Sequence, residues 1–238
     1  MGKLIVTGDT HNDIDIRKIN TKNFPYQKEL TKEDIMVVLG DWGAIWHGNN
    51  KDNYLLCQWE NRNWTTFVVL GNHENYSAIE KLPIIEKFGG RVYQAAPSIF
   101  LAVSGEIYNL NGQSCLVING ADSVDVYNED GSFYRKPFVS WWPQEQIDEK
   151  AYKNALRNLE RVNFSVDFVF THTGGTNVSS FLGFKPTFSD IKLQEILDRT
   201  IYREHLCGHY HLDKLTPTCR IVYNDIKLIA DSKKEYIF

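Results

Sequence analysis

Short runs of aliphatic and β-branched residues recur along the chain, and most run into glycine or a small polar residue. They are Lys3–Thr7, Ile35–Leu39, Thr66–Leu70, Cys115–Asn119, Val166–Thr171, His205–Cys207, Arg220–Asn224 and Ile226–Ala230. Unbroken apolar runs of this length predict strands buried on both faces, not the alternation of a half-exposed sheet. The last two meet at Asn224-Asp225, which predicts a tight hairpin. The stretch Arg91–Asn119 reads as consecutive antiparallel strands. Helical spacing falls elsewhere. In Gln144–Val162, opened by Pro143, residues Ile147, Ala151, Ala155, Leu159 and Val162 share one face. Ser77 with Glu80 predicts a capping box, and Ser189 predicts the cap of a helix carrying Leu193, Ile196 and Leu197. The expectation is an α/β or α+β sandwich in one domain spanning residues 1–238.

Five of these runs end in a potential metal ligand. Lys3–Thr7 leads into Gly8-Asp9-Thr10-His11, Ile35–Leu39 into Gly40-Asp41, and Thr66–Leu70 into Gly71-Asn72-His73-Glu74. Val166–Thr171 leads into His172, and His205–Cys207 into Gly208-His209-Tyr210-His211. Parallel strands place their carboxyl ends on one rim, where such folds build sites. Glycine before the ligand suits a rim that a side chain would crowd, or a turn that needs positive φ. Five of the seven histidines lie in these segments, which clusters them far beyond scatter. Asp9/His11 and His209/His211 are two residues apart, a spacing that puts both side chains on one side of an extended strand end.

Carboxylate, imidazole and amide oxygen suit first-row divalent ions: Mn²⁺ foremost, with Fe²⁺, Zn²⁺ or Ni²⁺ as the other candidates. Seven candidate ligands exceed what one ion takes and fit two that share a carboxylate. Such a pair, about 3.5–4 Å apart, clamps the attacking and leaving oxygens of an in-line displacement.

In order and content, Asp9-Thr10-His11, Gly40-Asp41, Gly71-Asn72-His73-Glu74, Thr171-His172 and Gly208-His209-Tyr210-His211 resemble the calcineurin-like metallophosphoesterase family. Gly120-Ala121-Asp122-Ser123 and Ser140-Trp141-Trp142-Pro143 place the resemblance nearest a small bacterial and phage-type branch. The resemblance implies two mixed β-sheets packed face to face with helices outside, and hydrolysis of a small phosphomonoester or phosphodiester. It implies Asp9, His11 and His211 on one ion, Asn72, His172 and His209 on the other, and Asp41 bridging. His73 would face the leaving-group oxygen as general acid or electrostatic stabiliser. One departure is plain: after Gly40-Asp41 stands Trp42-Gly43-Ala44-Ile45, where protein phosphatases carry an Asp-Arg pair that supports the histidine and grips phosphate. A Ser/Thr protein phosphatase is therefore not expected. The competing reading is a non-catalytic interaction module on the same fold; retention of all eight positions counts against it.

Composition narrows the partners. The 238 residues carry a formal charge of −4, which disfavours a dedicated nucleic-acid surface. No apolar run approaches a membrane span and no signal-peptide pattern opens the chain, so a cytoplasmic protein is expected. Four scattered cysteines without a CxxC pair fit a reduced compartment. Trp42, Trp46, Trp141 and Trp142 read either as an aromatic wall for a planar substrate group or as core or oligomer packing. Arg135 and Lys136 read as a solvated basic loop or a phosphate grip. His47 and His205 read as structural or surface histidines.

Overall fold

In a computed structural model that describes residues 2–12, 14–229 and the backbone of 236–237, the strands form two sheets. The first holds β1 (Leu4–Thr7), β2 (Ile35–Leu39), β3 (Thr65–Val69), β4 (Ile84–Lys87), β5 (Gly90–Ala96), β6 (Ile99–Ala102), β13 (Ile226–Ile229) and β14 (Tyr236–Ile237). The second holds β7 (Ile107–Leu110), β8 (Gln113–Ile118), β9 (Ser165–Thr171), β10 (Ile201–Cys207), β11 (Lys214–Leu215) and β12 (Arg220–Ile221). Both are mixed. The run β1, β2, β3 and β6 is parallel in the first sheet, as is β8, β9, β10 and β12 in the second.

The apolar runs are buried on both faces because three layers of core need them. Leu4, Val6, Val37, Leu39, Phe67 and Val69 meet Val117, Phe168, Phe170 and Leu206 of the other sheet. The opposite face of the first sheet, with Ile5, Met36, Val38 and Val68, packs under Trp42, Trp59, Trp64 and Trp142. On the outside of the second sheet, Leu116, Ile118 and Val169 pack with Ala155, Leu159, Leu193 and Ile196. Those last residues come from helices α3 (Glu149–Arg161) and α5 (Phe188–Leu197); α1 (Asn50–Glu60), α2 (Tyr76–Ile79) and α4 (Gly175–Phe181) complete the helices. The result is the expected sandwich of two mixed sheets flanked by helices.

Several local expectations need correction. The two closing runs do not form a hairpin: β12 pairs in parallel with β10, and β13 pairs antiparallel with β1 in the other sheet. Asn224-Asp225 is instead a crossing between sheets, held by Asp213, whose carboxylate accepts from the backbone N–H of Tyr223, Asn224 and Asp225. Ala230, expected in the last strand, lies outside the described residues. The antiparallel stretch is two hairpins, β5–β6 and β7–β8, one in each sheet. The helix expected from Gln144 begins at Glu149, because Asp148 accepts from Ala151 N at 2.7 Å and caps it. Asn75 rather than Ser77 caps α2, and Thr187 with Asp190 forms the capping box of α5. Among the described residues no helix is long and apolar enough to cross a membrane.

Candidate metal centre

The carboxyl ends of β1, β2, β3, β9 and β10 converge, so the rim predicted from the sequence is shared by two facing sheets. All four rim glycines are there because a neighbour occupies the place of a Cβ. A Cβ at Gly71 would lie 2.1 Å from Asp41 Oδ1, and one at Gly208 would lie 2.2 Å from Asp9 Oδ1. At Gly40 it would meet His172 Nδ1 at 2.1 Å, and at Gly8 it would meet Val222 O at 1.9 Å. Positive φ belongs to Gly40 alone of the four.

Seven of the candidate positions gather into two donor sets that touch opposite oxygens of Asp41. In the first, one donor atom each from Asp9, His11, Asp41 and His211 lie within 4.8 Å of one another. His11 Nε2 stands 3.2 Å from Asp41 Oδ2 and His211 Nε2 stands 3.1 Å from Asp9 Oδ2. In the second, His172 Nε2 is 3.0 Å from Asn72 Oδ1, 3.3 Å from Asp41 Oδ1 and 3.3 Å from His209 Nδ1. His11 and His211 meet edge to face at 5.0 Å, as His172 and His209 do at 4.9 Å.

Residues outside the donor sets orient them. His172 Nδ1 donates to Leu39 O at 2.7 Å, and His11 Nδ1 is 2.7 Å from Asp15 Oδ2, which leaves each Nε2 facing the carboxylates. Tyr223 OH donates to Asp15, and its ring stacks on His211 at 4.9 Å. Lys18 Nζ donates to the backbone carbonyls of Asp9 and Tyr223. Tyr210 packs edge to face on His209 at 5.2 Å, and its hydroxyl hydrogen-bonds with Thr173 and Ser179. The strand-end spacing works differently from the expectation. His11, Asp41, His209 and His211 have φ of 36°, 47°, 71° and 52°, so left-handed turns aim these side chains, not extended backbone. Such turns are costly for non-glycine residues and gather at functional sites.

The electrostatics test whether this arrangement fits divalent cations. Burial alone would lower the pKa of His11 and His172, but Asp41 and Asp9 raise both to about 9. Burial and the neighbouring His172 push His209 down to about 4. Burial opposes ionisation of Asp41, yet the histidines around it hold its carboxyl well below the usual carboxylate range. The buried pair of carboxylates therefore demands positive charge. Since His172 Nδ1 already donates to Leu39 O, a second proton on Nε2 could satisfy only some of Asn72, Asp41 and His209, whose acceptor atoms all face it. Asp9 Oδ2 is buried with no partner in hydrogen-bond geometry. Cations bound by all these atoms resolve both problems and release the imidazole protons. The residues fit.

His73 is set apart from both sets. Its backbone N–H donates to Asp41 Oδ1 at 2.8 Å, and its ring lies 5.8 Å from that of His11. Burial lowers its pKa, with Arg135 and two histidines acting in the same direction against Asp41. Glu74 is fully buried, accepts from Trp42 N at 2.7 Å, and is pushed up to about 8 by burial and by Asp41.

The sequence reasoning missed the residues that reach the site from the segment between β8 and α3. Arg135 is not a solvated basic residue: its Nη1 is 3.3 Å from His73 Nδ1, and Nε and Nη2 donate to the two oxygens of Asp125 at 2.7 and 2.5 Å. Ser123 Oγ accepts from Asn72 Nδ2 at 3.1 Å. A signal existed. Asp125 and Arg135 lie five residues either side of Asp130, and Tyr127 and Phe133 bridge across the same centre. The opposed charges flank the surface turn Asn128-Glu129-Asp130-Gly131. Of the tryptophans, Trp42 and Trp142 are core, while the half-buried Trp46 lies 6.3 Å from the His73 ring. His205 is a buried strand residue whose Nε2 lies 2.8 Å from Thr171 Oγ1. His47 donates its backbone N–H to Asp52 Oδ1 at 2.9 Å.

A family model described as calcineurin-like phosphoesterase matches residues 2–213. No curated protein sequence matches the chain. Among solved structures, it is similar to the phosphopantetheinyl hydrolase PptH from Mycobacterium tuberculosis, at 14% identity and a TM-score of 0.47, over 94% of this chain and 90% of that one. It is also similar to the protein AQ665 of unknown function from Aquifex aeolicus, at 16% identity and a TM-score of 0.35, over 82% of this chain and 94% of that one.

Proposed function

The chain belongs to the calcineurin-like phosphoesterases, and from that premise we propose that it hydrolyses a small phosphomonoester or phosphodiester with two divalent ions held at the strand rim. Asp9, His11 and His211 hold one ion, and Asn72, His172 and His209 hold the other. The observation that carries this reading is Asp41, whose Oδ2 faces His11 and whose Oδ1 faces His172. A single buried carboxylate that presents one oxygen to each donor set is the geometry of a bridging ligand.

When bound, such a pair lowers the pKa of water to about 7 and offsets the charge on phosphoryl oxygens. The protein's own contribution is placement. Leu39 O and Asp15 fix the tautomers of His172 and His11, so that each presents a lone pair toward the centre. Asn72 is turned by its amide N–H to Ser123, which leaves its oxygen facing His172. His73, anchored by Asp41 through its backbone, stands beside the first donor set where the leaving group departs. Oxygen and nitrogen donors without thiolate favour Mn²⁺, with Fe²⁺, Zn²⁺ or Ni²⁺ as alternatives. The pairing of β13 with β1 supports reading residues 1–238 as one domain, and the four free cysteines support a reduced, cytoplasmic setting.

The test is metal content together with activity. Asp41→Asn should lose both ions and hydrolysis of a chromogenic phosphate ester. Full activity with two ions retained would refute the bridging role.

A further inference from the structure

We propose that Arg135, held by Asp125, is a positioning residue for His73: its guanidinium donates to Nδ1 and so keeps the ring N–H on Nε2, the edge left open for substrate. The substrate is the one named by the phosphoesterase reading; the hydrogen bond stands without it. A guanidinium carries donors only. Its Nη1 lies 3.3 Å from His73 Nδ1, so that nitrogen must offer its lone pair. In a neutral ring the hydrogen is then on Nε2, which has no hydrogen-bond partner among the described residues.

Three anchors make Arg135 rigid enough for this task. Asp125 takes Nε and Nη2 as a fork, and Nη1 also reaches Ser140 O at 3.3 Å. Asp125 and Arg135 face each other across the bridge between Tyr127 and Phe133. The same excursion is tied to the rim through Ser123 and Asn72, and Ser123 N donates to the buried Glu145 at 2.6 Å. His73 is thus fixed at both ends, by Asp41 at its backbone and by Arg135 at Nδ1.

The consequence decides between the two roles open to His73. With Nδ1 occupied by Arg135, giving up the Nε2 proton would leave an anionic ring. His73 therefore donates a hydrogen bond to a phosphoryl or ester oxygen and keeps its proton. Water oxygen forms the new P–O bond and loses a proton to solvent, the ester P–O bond breaks, and solvent protonates the departing alkoxide. His73 stabilises developing charge in the manner of an oxyanion-hole donor.

The experiment is ¹⁵N NMR of histidine-labelled protein at pH 8, metal-free and Zn²⁺-loaded, with His73 assigned by His73→Gln. The expected signature is an unprotonated Nδ1 and a protonated Nε2, with the two signals drawn toward each other in Arg135→Gln and, less strongly, in Asp125→Asn. A protonated Nδ1 in the wild-type protein would overturn the proposal, even if the Arg135 variant fails to fold. So would an unchanged signature in a folded Arg135→Gln. In parallel, His73→Gln should lower kcat by about 10²-fold on good and poor leaving groups alike. A loss that grows with leaving-group pKa would instead make His73 a proton source. Absence of any phosphoester hydrolysis would remove the phosphoesterase reading and leave the NMR result to decide the hydrogen bond.

Discussion

Gly71→Ala is the sharpest probe of the rim, because it adds one methyl group and removes no donor atom. The added Cβ would lie 2.1 Å from Asp41 Oδ1, 2.5 Å from Asp41 N and 2.8 Å from His172 Nε2. Ordinary contact begins near 3.4 Å, so Asp41 Oδ1 must retreat by 3.4 − 2.1 = 1.3 Å, or the strand end must shift by a similar amount. Gly71 does not have positive φ, so the backbone tolerates alanine and the effect is steric. Metal–ligand distances tolerate only about 0.2 Å. A displacement of about 1 Å in a reacting constellation costs roughly 10²-fold in rate. The expected outcome is therefore a protein that folds, binds fewer than two ions by elemental analysis, and turns over a chromogenic phosphate ester about 10²-fold more slowly. Calorimetric Mn²⁺ titration would show the weakened site directly. Two tightly bound ions and a rate within about threefold of wild type, against the roughly 10²-fold loss expected, would mean that Asp41 is not the shared ligand.

Removal of metal by EDTA should abolish hydrolysis, and Mn²⁺ should restore it; activity that survives chelation and dialysis would exclude the mechanism. Re-addition at about 100 times Kd should stabilise the fold by about 2.7 kcal/mol for each ion bound, roughly 5–10 °C in Tm apiece, as scanning calorimetry would show. Asp41→Asn should cost more than about 10²-fold in activity, beyond the loss typical of a residue that merely orients a ligand. Glu145 gives a pH test away from the ions. Burial pushes its carboxyl up to about 7, so the folded state holds a proton that the unfolded chain releases near 4.5. The stabilisation is full below pH 4.5 and lost as pH rises to 7, about 2–3 kcal/mol in all. Glu145→Gln should flatten that slope in pH-dependent denaturation; an identical slope would place the titration elsewhere.

The chemistry-bearing positions were legible because the chain announces them locally: an apolar run, a glycine, then a ligand. Asp9, Asp41, Asn72 and His209 follow that pattern, His172 follows its run without the glycine, and all five converge in space. What the pattern could not carry was sheet membership. A run buried on both faces looks the same in either sheet, so Arg220–Asn224 and Ile226–Ala230 read as a hairpin although their described strands pair on opposite sides of the core. Helix starts shifted for a similar reason, since Asp148 and Thr187 compete with nearby Pro143 and Ser189 as plausible openings. Arg135 was hidden because exposure is a tertiary property. The one local hint, Asp125 opposite Arg135 across the turn, could suggest their pairing but not that the pair stands against His73.

The pairing of β13 with β1 also sets a timetable for synthesis on the ribosome. Residues that supply Asp9 and His11 emerge first, yet their strand lacks one neighbour until positions 226–229 have left the exit tunnel. His209 and His211 emerge nearly as late. Early β1–β2–β3 segments thus wait with an open edge, a hazard for association with other nascent chains. Both donor sets are complete only once His209 and His211 have been made, and truncation before Ile226 should yield an aggregation-prone product rather than a weak enzyme.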